Sequence, residues 1–316
     1  MKVLYIFGNG FDKAHGLKTS YPEFYEHLLS SSNNPYLCEI KQEISQNIDL
    51  WSDMEEAFGK FTYKLRGENS LKKTYFNLNE SLQEYLNTEQ KKFIPTERLK
   101  TKFIEDLLSP ESYLNDTDRS NYLKRIPNQR QNTINIITLN YTNTIEKLLG
   151  CETSASKRKY LSSNTHIDDI IHVHGKLEDS IVLGVYNKDQ IANNEFKNSQ
   201  NAADCLIKKD SIISMESSAY NKFNELVKGA DVIVFYGVSF GATDTYLWKL
   251  VGEKYKKKKL IMIIHLYANL ENNQTRKHLY GSIKRMCQEK LNELTNNSFS
   301  DADRIFFVIN SNIFRL

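Results

Sequence analysis

The sequence has few cysteines, no long apolar run and no large excess of charge, and each of these absences excludes a class of protein. Its 316 residues contain four widely separated cysteines and no Cys-x-x-Cys pair: Cys38, Cys151, Cys205 and Cys287. This pattern argues against a structural zinc ribbon and against a secreted disulfide framework. No apolar stretch approaches the ~20 residues of a membrane-spanning helix, and the first residues have a strand pattern rather than that of a signal peptide. We therefore expect a cytoplasmic protein with no membrane partner.

The charge balance excludes a further class. Lysine and arginine total 42 against 39 aspartates and glutamates, a net charge of +3, which is too small an excess to indicate a nucleic-acid groove. One basic cluster, Lys254–Lys259, precedes an apolar segment, and we interpret it as the solvated end of a helix. The length is sufficient for a large core. Because no repeat or low-complexity tract divides the chain, we predict one domain over residues 1–316.

Short apolar segments, many of them rich in β-branched residues, predict the strands of a sheet. They are Val3–Phe7, Ile134–Thr138, Ile170–Val173, Ile181–Val185, Val232–Tyr236, Leu260–Leu266 and Arg304–Ile309. Nearly continuous hydrophobicity of this kind is typical of strands buried on both faces of a parallel sheet. Helical patterns lie between most of them, at Asn143–Leu149, Ile212–Val227, Thr245–Tyr255 and Asn273–Leu294. Strands alternating with helices predict an α/β fold with a doubly wound, mostly parallel sheet.

The stretch from about residue 21 to residue 127 departs from this alternation. It has no convincing strand pattern, and its amphipathic segments predict helices at Pro22–Leu29, Asp53–Leu65, Leu71–Leu86 and Thr96–Leu108. We interpret it as a helical insertion after the first strand. Such an insertion lies above the carboxyl edge of the sheet, where it can act as a lid.

Candidate site residues follow the ends of the predicted strands. Ligands of open α/β sheets bind beyond these carboxyl ends, and four of them are polar: Gly8-Asn9-Gly10-Phe11-Asp12, Leu139-Asn140-Tyr141-Thr142-Asn143, His174-Gly175-Lys176 and Gly237 to Asp244. The first has the pattern of a phosphate-binding turn, since glycines allow positive φ and close approach, and the turn's amide groups can donate to a pyrophosphate. Its third glycine is replaced by Lys13, which argues against a dehydrogenase.

Two of these segments also have other interpretations. His172 and His174 share one face of a strand and could bind a metal with Asp168, Asp169 or Asp179. A complete set of three ligands is not evident, so we expect no metal. Asn140 could instead bridge backbone groups, and His174 could cap a strand. The acidic residues Asp53, Glu55 and Glu56 are typical of the first turn of a helix, capped by Ser52.

In their order along the chain, the four segments resemble those of sirtuin-like NAD-consuming domains. The sequence also resembles the bacteriophage abortive-infection proteins of the AbiH type over nearly its whole length. The shared motifs are GNGFDxAHGLxTSY at residues 8–21, Trp-x-x-x-Glu-Glu at residues 51–56, TLNYT at residues 138–142, His-x-His-Gly at residues 172–175 and Tyr-Gly-x-Ser at residues 236–239.

This resemblance implies an antiphage effector with a Rossmann-like, sirtuin-like core that hydrolyses NAD, its substrate, to nicotinamide and ADP-ribose. It implies that Asn140 orients a water or the nicotinamide ribose and that His174 is the general base. Ser239 would contact the adenosine ribose. The other residues implied to bind NAD are Gly8, Asn9, Gly10, Phe11, Asp12, His15, Thr142, Asn143, Gly237 and Asp244. Breaking the nicotinamide–ribose bond passes through an oxocarbenium-like state, which a side-chain amide and a neutral imidazole suit.

One departure from the family pattern leaves alternatives open. Family members often have Asp two residues after the matching Asn, whereas Tyr141 and Thr142 follow Asn140 here, so that Asp12 or Asn143 would have to contact the carboxamide. Two other functions stay open, a nucleotide sensor without turnover and a metal-dependent hydrolase of nucleotides or nucleic acid. Expected partners are a phage-derived trigger, a partner defence protein or a second copy of the chain.

Overall fold

The computed structural model describes residues 1–31, 34–126, 132–151, 159–215, 217–257, 260–268, 279–296, 299 and 304–316. Within them a seven-stranded sheet has the order β3-β4-β2-β1-β5-β6-β7. The strands are β1 (Lys2–Phe7), β2 (Asn132–Thr138), β3 (Lys159–Ser162), β4 (Thr165–His172), β5 (Val232–Tyr236), β6 (Ile261–Leu266) and β7 (Ile305–Ile309). All neighbouring pairs are parallel except β3 with β4. The prediction of a mostly parallel α/β sheet is confirmed.

The register brings the ends of the central strands to one level. Phe7, the last residue of β1, pairs with Thr138 of β2 and with Tyr236 of β5, and Thr138 pairs in turn with His172 of β4. The chain order reverses at β1, because β2 and β4 lie on one side of it and β5, β6 and β7 on the other. The segments that follow these four strands therefore meet at one edge of the sheet, at the point of reversal.

Fourteen α-helices are described. They are α1 (Asn9–Ala14), α2 (Tyr21–Ser30), α3 (Cys38–Gln46), α4 (Met54–Phe61), α5 (Gly67–Lys92), α6 (Glu97–Leu108), α7 (Asp116–Arg125), α8 (Thr144–Leu149), α9 (Asn194–Lys197), α10 (Gln200–Leu206), α11 (Lys208–Ser214), α12 (Ala219–Gly229), α13 (Thr245–Lys257) and α14 (Tyr280–Thr295). Of those within the described residues, none is both long and apolar enough to cross a membrane.

Alternating side chains of the strands build the core on both faces of the sheet. On β1, Tyr5 and Phe7 pack with α6 and α8 on one face, while Leu4 and Ile6 pack with α12 and α13 on the other, as the two-residue period of a strand requires. A third apolar cluster lies in the insertion, where α2 to α5 pack against residues 177–207. The insertion thus has a core of its own.

The insertion differs in extent from the prediction. Helices α2 to α5 belong to its separate core, but α6 and α7 place Phe103, Leu107 and Tyr122 against the sheet. Only residues 21–92 are therefore in a position to cover the carboxyl edge, since the second half of the stretch forms part of a layer beside the sheet.

Several predicted elements are wrong in detail. Ile181–Val185 is no strand but makes isolated bridges at its two ends, because its apolar side chains pack largely on the insertion. Ile212–Val227 is interrupted, with α11 ending at Ser214 and α12 beginning at Ala219. Lys254 of the basic cluster is buried rather than solvated, and its Nζ donates to a main-chain carbonyl. Elements absent from the prediction are β3, α3, α7, α9 and α10. The first part of predicted Asn273–Leu294 lies outside the described residues.

Candidate functional site

A cavity of about 750 Å³ opens at the carboxyl edge of the sheet, within the size range of small-molecule sites. The strand ends form one side of it and the insertion forms the other, through Thr19 to Pro22, the start of α4 and two leucines of α5. Ten predicted site residues line this cavity: Gly8, Asn9, Gly10, Asp12, Asn140, Thr142, His174, Gly237, Ser239 and Asp244. Phe11, His15 and Asn143 do not.

The glycines of the turn allow close contact with another turn of the protein, whereas the prediction was contact with a phosphate. Gly8 is extended, with φ −113°, and only Gly237 of the three turn glycines has positive φ, 68°, so the expected positive φ at Gly8 and Gly10 is wrong. A Cβ on Gly8 would lie 2.5 Å from the Gly237 oxygen, and one on Gly10 would lie 2.6 Å from the Gly237 Cα. Both glycines are therefore needed where two strand-end turns touch.

The amide groups of this turn are used within the protein. Gly8 N–H donates to the Tyr236 carbonyl and Gly10 N–H to the Gly237 carbonyl, both at 3.0 Å, and Phe11 N–H donates to the Gly8 carbonyl at 2.8 Å. In this arrangement these three donors do not point at a ligand. A pyrophosphate in the cavity would have to find other donors.

Two residues next to the turn support it from the side away from the cavity. Phe11 is fully buried, with its ring centroid 4.5 Å from that of Phe7. The Nδ1 of His15 lies 2.8 Å from the Phe11 carbonyl oxygen, and burial lowers the pKa of His15. Asn143, also outside the cavity lining, donates from Nδ2 to Glu178 at 3.3 Å. The structure thus places these three at the periphery.

Asn140 and Asp12 tie the ends of β1 and β2 together. Asn140 donates from Nδ2 to the Gly8 carbonyl at 3.2 Å, which is the backbone-bridging arrangement. Thr142 donates from Oγ1 to Asp12 Oδ2 at 2.6 Å, while Asp12 Oδ1 has no partner among the described residues. Burial raises the pKa of Asp12, opposed by the hydrogen bond from Thr142 and by the nearby polar groups of Thr144 and Asn140. A buried carboxyl group with one unpartnered oxygen therefore lines the cavity.

His172 lies behind the cavity and is fully engaged. Its Nδ1 is 3.0 Å from the Asn140 carbonyl oxygen and its Nε2 is 2.8 Å from Glu146 Oε1. Burial raises the pKa of Glu146, but the hydrogen bond and charge of His172, with Lys176, bring it down to about 2. The described residues contain no group of three His, Cys, Asp or Glu side chains arranged to hold a metal. The metal-dependent alternative therefore has no ligand set in them.

His174 is buried at the cavity wall. Its Nδ1 lies 3.3 Å from the Leu139 carbonyl oxygen and its Nε2 lies 3.1 Å from the Tyr246 hydroxyl. Because a carbonyl only accepts, we assign the proton to Nδ1, so that Nε2 accepts from Tyr246. Burial and the charge of Lys208 lower the pKa of His174 to about 3, although Asp244 opposes them. The ring is therefore neutral at pH 7 and its lone pair is occupied.

The cavity lining also contains a buried lysine that the sequence patterns do not indicate. Lys208, at the start of α11, is 2% exposed, and its Nζ lies 2.7 Å from Glu55 Oε2 and 2.7 Å from Asp244 Oδ1. Glu55 belongs to α4, which is capped by Asp53 and not by Ser52, since Asp53 Oδ1 accepts from the Glu55 and Glu56 amides. Lys208 thus joins the insertion to the loop after β5.

Three carboxyl groups form an acidic wall of the cavity, which we define as Asp53, Glu55 and Asp244. With Asp12 they make four carboxyl groups in the lining against two lysines, Lys13 and Lys208. Burial raises the pKa of Glu55 to about 7, with Asp244 and Asp53 adding to the rise and Lys208 opposing it. Burial also acts to raise the pKa of Asp244, but the charge and the hydrogen bond of Lys208 lower it overall. Near neutral pH, Asp244 is therefore ionised, and the pKa of Glu55 lies in the same range.

Comparison with known proteins identifies the family. No curated protein matches this chain. The family model described as bacteriophage abortive infection AbiH matches residues 4–266, a span that includes every residue lining the cavity. The chain therefore belongs to the bacteriophage abortive infection AbiH family, and this membership indicates a role in phage abortive infection.

Proposed function

We propose that the protein is an abortive-infection effector that hydrolyses NAD to nicotinamide and ADP-ribose in the cavity at the carboxyl edge of the sheet. The observation that carries the proposal is an acidic, dinucleotide-sized cavity at the point where the strand order reverses. Without the antiparallel β3, the six parallel strands follow the order of dinucleotide-binding sheets, which supports a Rossmann-like, sirtuin-like core.

The charge of the cavity favours this reaction class over phosphoryl transfer. Cleavage of an N-glycosidic bond builds positive charge on the ribose, and carboxylates in a water-poor site stabilise it. Phosphoryl transfer instead builds negative charge, which requires a clamp of lysines, arginines or metal ions. The cavity lining, with four carboxyl groups and two lysines, suits the first of these.

The cavity also suggests how NAD is oriented. We place the nicotinamide ribose near Asn140 and the acidic wall, because the pyridinium ring is cationic. The phosphates then lie toward the exposed Lys13 and Asn9, since the Gly8, Gly10 and Phe11 amides are already bonded. Ser239, in the loop after β5, remains the predicted contact for the adenosine ribose.

Release of nicotinamide tests the proposal. Purified protein is incubated with NAD, and the products are separated by chromatography; NAD is also measured in cells before and after phage infection, because an effector can be silent until triggered. We expect Asn140→Ala to lower the rate about 100-fold, while Asn164→Ala, exposed between β3 and β4, retains it. No nicotinamide from the pure protein and unchanged cellular NAD during infection would reject the proposal.

A second candidate, binding of NAD without turnover, is favoured by one observation. The Nε2 lone pair of His174, the residue implied to be the base, is already occupied by Tyr246. A sensor of this kind predicts that NAD raises the melting temperature and is recovered intact by chromatography. Turnover in the nicotinamide assay rules it out.

A further inference from the structure

We propose that Glu55, carried by helix α4 of the insertion, is the general base that activates the attacking water. This role rests on the proposed hydrolysis of NAD and reassigns the base that the family resemblance implies. A general base needs an available lone pair near the reacting centre. His174 does not offer one, because Tyr246 donates to its Nε2, whereas Glu55 lines the same cavity.

The local structure fixes the Glu55 carboxylate. Asp53 caps the first turn of α4 and accepts from the Glu55 amide at 3.1 Å. In its side chain, Oε1 accepts from Gly184 N–H at 3.3 Å and Oε2 accepts from Lys208 at 2.7 Å. Each carboxylate oxygen has two lone pairs, so these bonds leave capacity for a water. These bonds fix the position of the carboxylate and leave lone pairs that can accept a proton from water.

Groups from several elements face Glu55 and set its charge. The charged ones are Lys208 of α11, Asp244 of the loop after β5 and Asp53 of its own helix. Four tyrosine hydroxyls complete the surroundings, and their pKa values are raised by burial, so they are neutral: Tyr21, Tyr75, Tyr141 and Tyr246. Two carboxylates and one lysine around a buried acid favour a pKa near the working pH, which is what a general base requires.

The chemical step balances with water as the only co-reactant. The Glu55 carboxylate removes a proton from water while the water oxygen bonds to C1′ of the nicotinamide ribose. The bond from C1′ to the ring nitrogen breaks, and its electron pair neutralises the pyridinium as nicotinamide leaves. The proton on Glu55 then passes to solvent. Because Glu55 sits on the insertion and the ribose contacts sit on the sheet, the site is complete only when the two are joined.

The test compares Glu55→Gln with Glu55→Asp and with the matched control Glu56→Gln. Glu56 is the next residue of α4, forms an i,i+4 pair with Lys60 and does not line the cavity. For kcat/KM of nicotinamide release we expect an acidic limb near pH 7 in the wild type and in Glu56→Gln. Glu55→Gln should lose about 100-fold or more of the rate and should lose this limb. Glu55→Asp should keep a limb with a reduced rate.

A direct titration separates this role from the overall function. In protein labelled with 13C at glutamate carboxyl carbons, one resonance should titrate near pH 7 and disappear in Glu55→Gln. In Asp244→Asn that titration, and the acidic limb of the rate, should move to lower pH, because a neighbouring negative charge is removed. A merely structural Glu55 could titrate in the same way, but the acidic limb of the rate would then not follow its titration.

The outcomes are distinct. If the wild type releases nicotinamide and Glu55→Gln keeps both rate and acidic limb, the role of Glu55 is overturned while NAD hydrolysis stands. The same holds if Glu55 titrates as an ordinary surface glutamate. If the wild type never releases nicotinamide, the hydrolysis and the base fall together, and a titration near pH 7 would then show only an unusual carboxyl group in a binding site.

Discussion

Replacing Lys208 by methionine tests whether one buried cation holds the insertion on the sheet. The Lys208 ammonium is 2.7 Å from a carboxylate oxygen of Glu55 and 2.7 Å from one of Asp244, and both carboxylates are buried or nearly so. Methionine has a similar length without the charge. The variant therefore leaves two neighbouring, largely buried carboxyl groups with no cation between them.

The expected loss of free energy of unfolding depends on whether the two carboxyl groups stay ionised or take up a proton. A buried, unpaired carboxylate can take up a proton, and the cost of doing so limits the penalty. Protonating a carboxyl group costs about 1.4 kcal/mol for each pH unit above its ordinary pKa, so a protonated Asp244 costs about 2.7 kcal/mol less at pH 5 than at pH 7. Glu55 adds little, because its pKa is already about 7 in the wild type. We expect a loss of about 4 kcal/mol at pH 7, in the range of broken buried ion pairs.

Urea unfolding of wild type and variant at pH 7 and at pH 5 measures this loss. The control is Lys209→Met, one residue on and exposed, which should change the free energy of unfolding by less than about 0.5 kcal/mol. The double variant Lys208→Met with Asp244→Asn should recover at least half of the loss, since it removes the unpaired charge. A loss that is equal at both pH values, or below 1 kcal/mol at pH 7, would refute the argument.

Two further predictions concern the turns and the carboxyl edge. Gly237→Ala should lower the free energy of unfolding by more than about 2 kcal/mol, because Gly237 has φ 68° and an added Cβ would lie 2.5 Å from the Phe11 nitrogen. The control is Gly229→Ala, whose added Cβ meets nothing within 4 Å. It should be close to neutral in the same urea titration. Burial lowers the pKa of His265 to about 3 from 6.5. As the pH drops from about 6.5 toward 3, the unfolded chain therefore takes up a proton that the folded protein does not, and stability falls. His265→Gln should remove about 2 kcal/mol of the difference between pH 7 and pH 5, and an unchanged pH dependence would contradict this.

The fold could be predicted where a segment's own pattern decides its structure. The strands β1, β2, β5, β6 and β7 were predicted to within two residues, because each is a short apolar run in a fully covered sheet. Val182 and Leu183 belong to an equally apolar run, but it packs largely on the insertion and not between strands. Hydrophobicity shows that a segment is buried; it does not show what buries it.

Prediction of the site from the sequence has the same limit, because a pattern does not show which segments pack together. The strand ends were predicted to meet because parallel strands end at one edge, and Asn140 and His174 do line one cavity. Lys208 could not be predicted, since it follows no strand and lies in a helix of ordinary composition. Glu55 had a signal in the Trp-x-x-x-Glu-Glu motif, but the acidic first turn of a helix explains the same residues equally well. Only the packing of the insertion shows that Glu55 is buried at the cavity and that its neighbour Glu56 is not.

The glycine turn shows how a correct motif can have a different physical cause. Two glycines after a strand indicate that some group approaches the backbone closely, and here the group is the Gly237 segment rather than a phosphate. The turns after β1 and β5 thus form one rigid unit at the strand-order reversal, joined by hydrogen bonds of 3.0 Å. Because the Gly8, Gly10 and Phe11 amides are bonded within that unit, affinity for a nucleotide must come from other groups of the cavity. The charged side chains of the cavity are mostly acidic, so under the proposed function the site is better suited to stabilise a cation at the ribose than to hold the phosphates tightly.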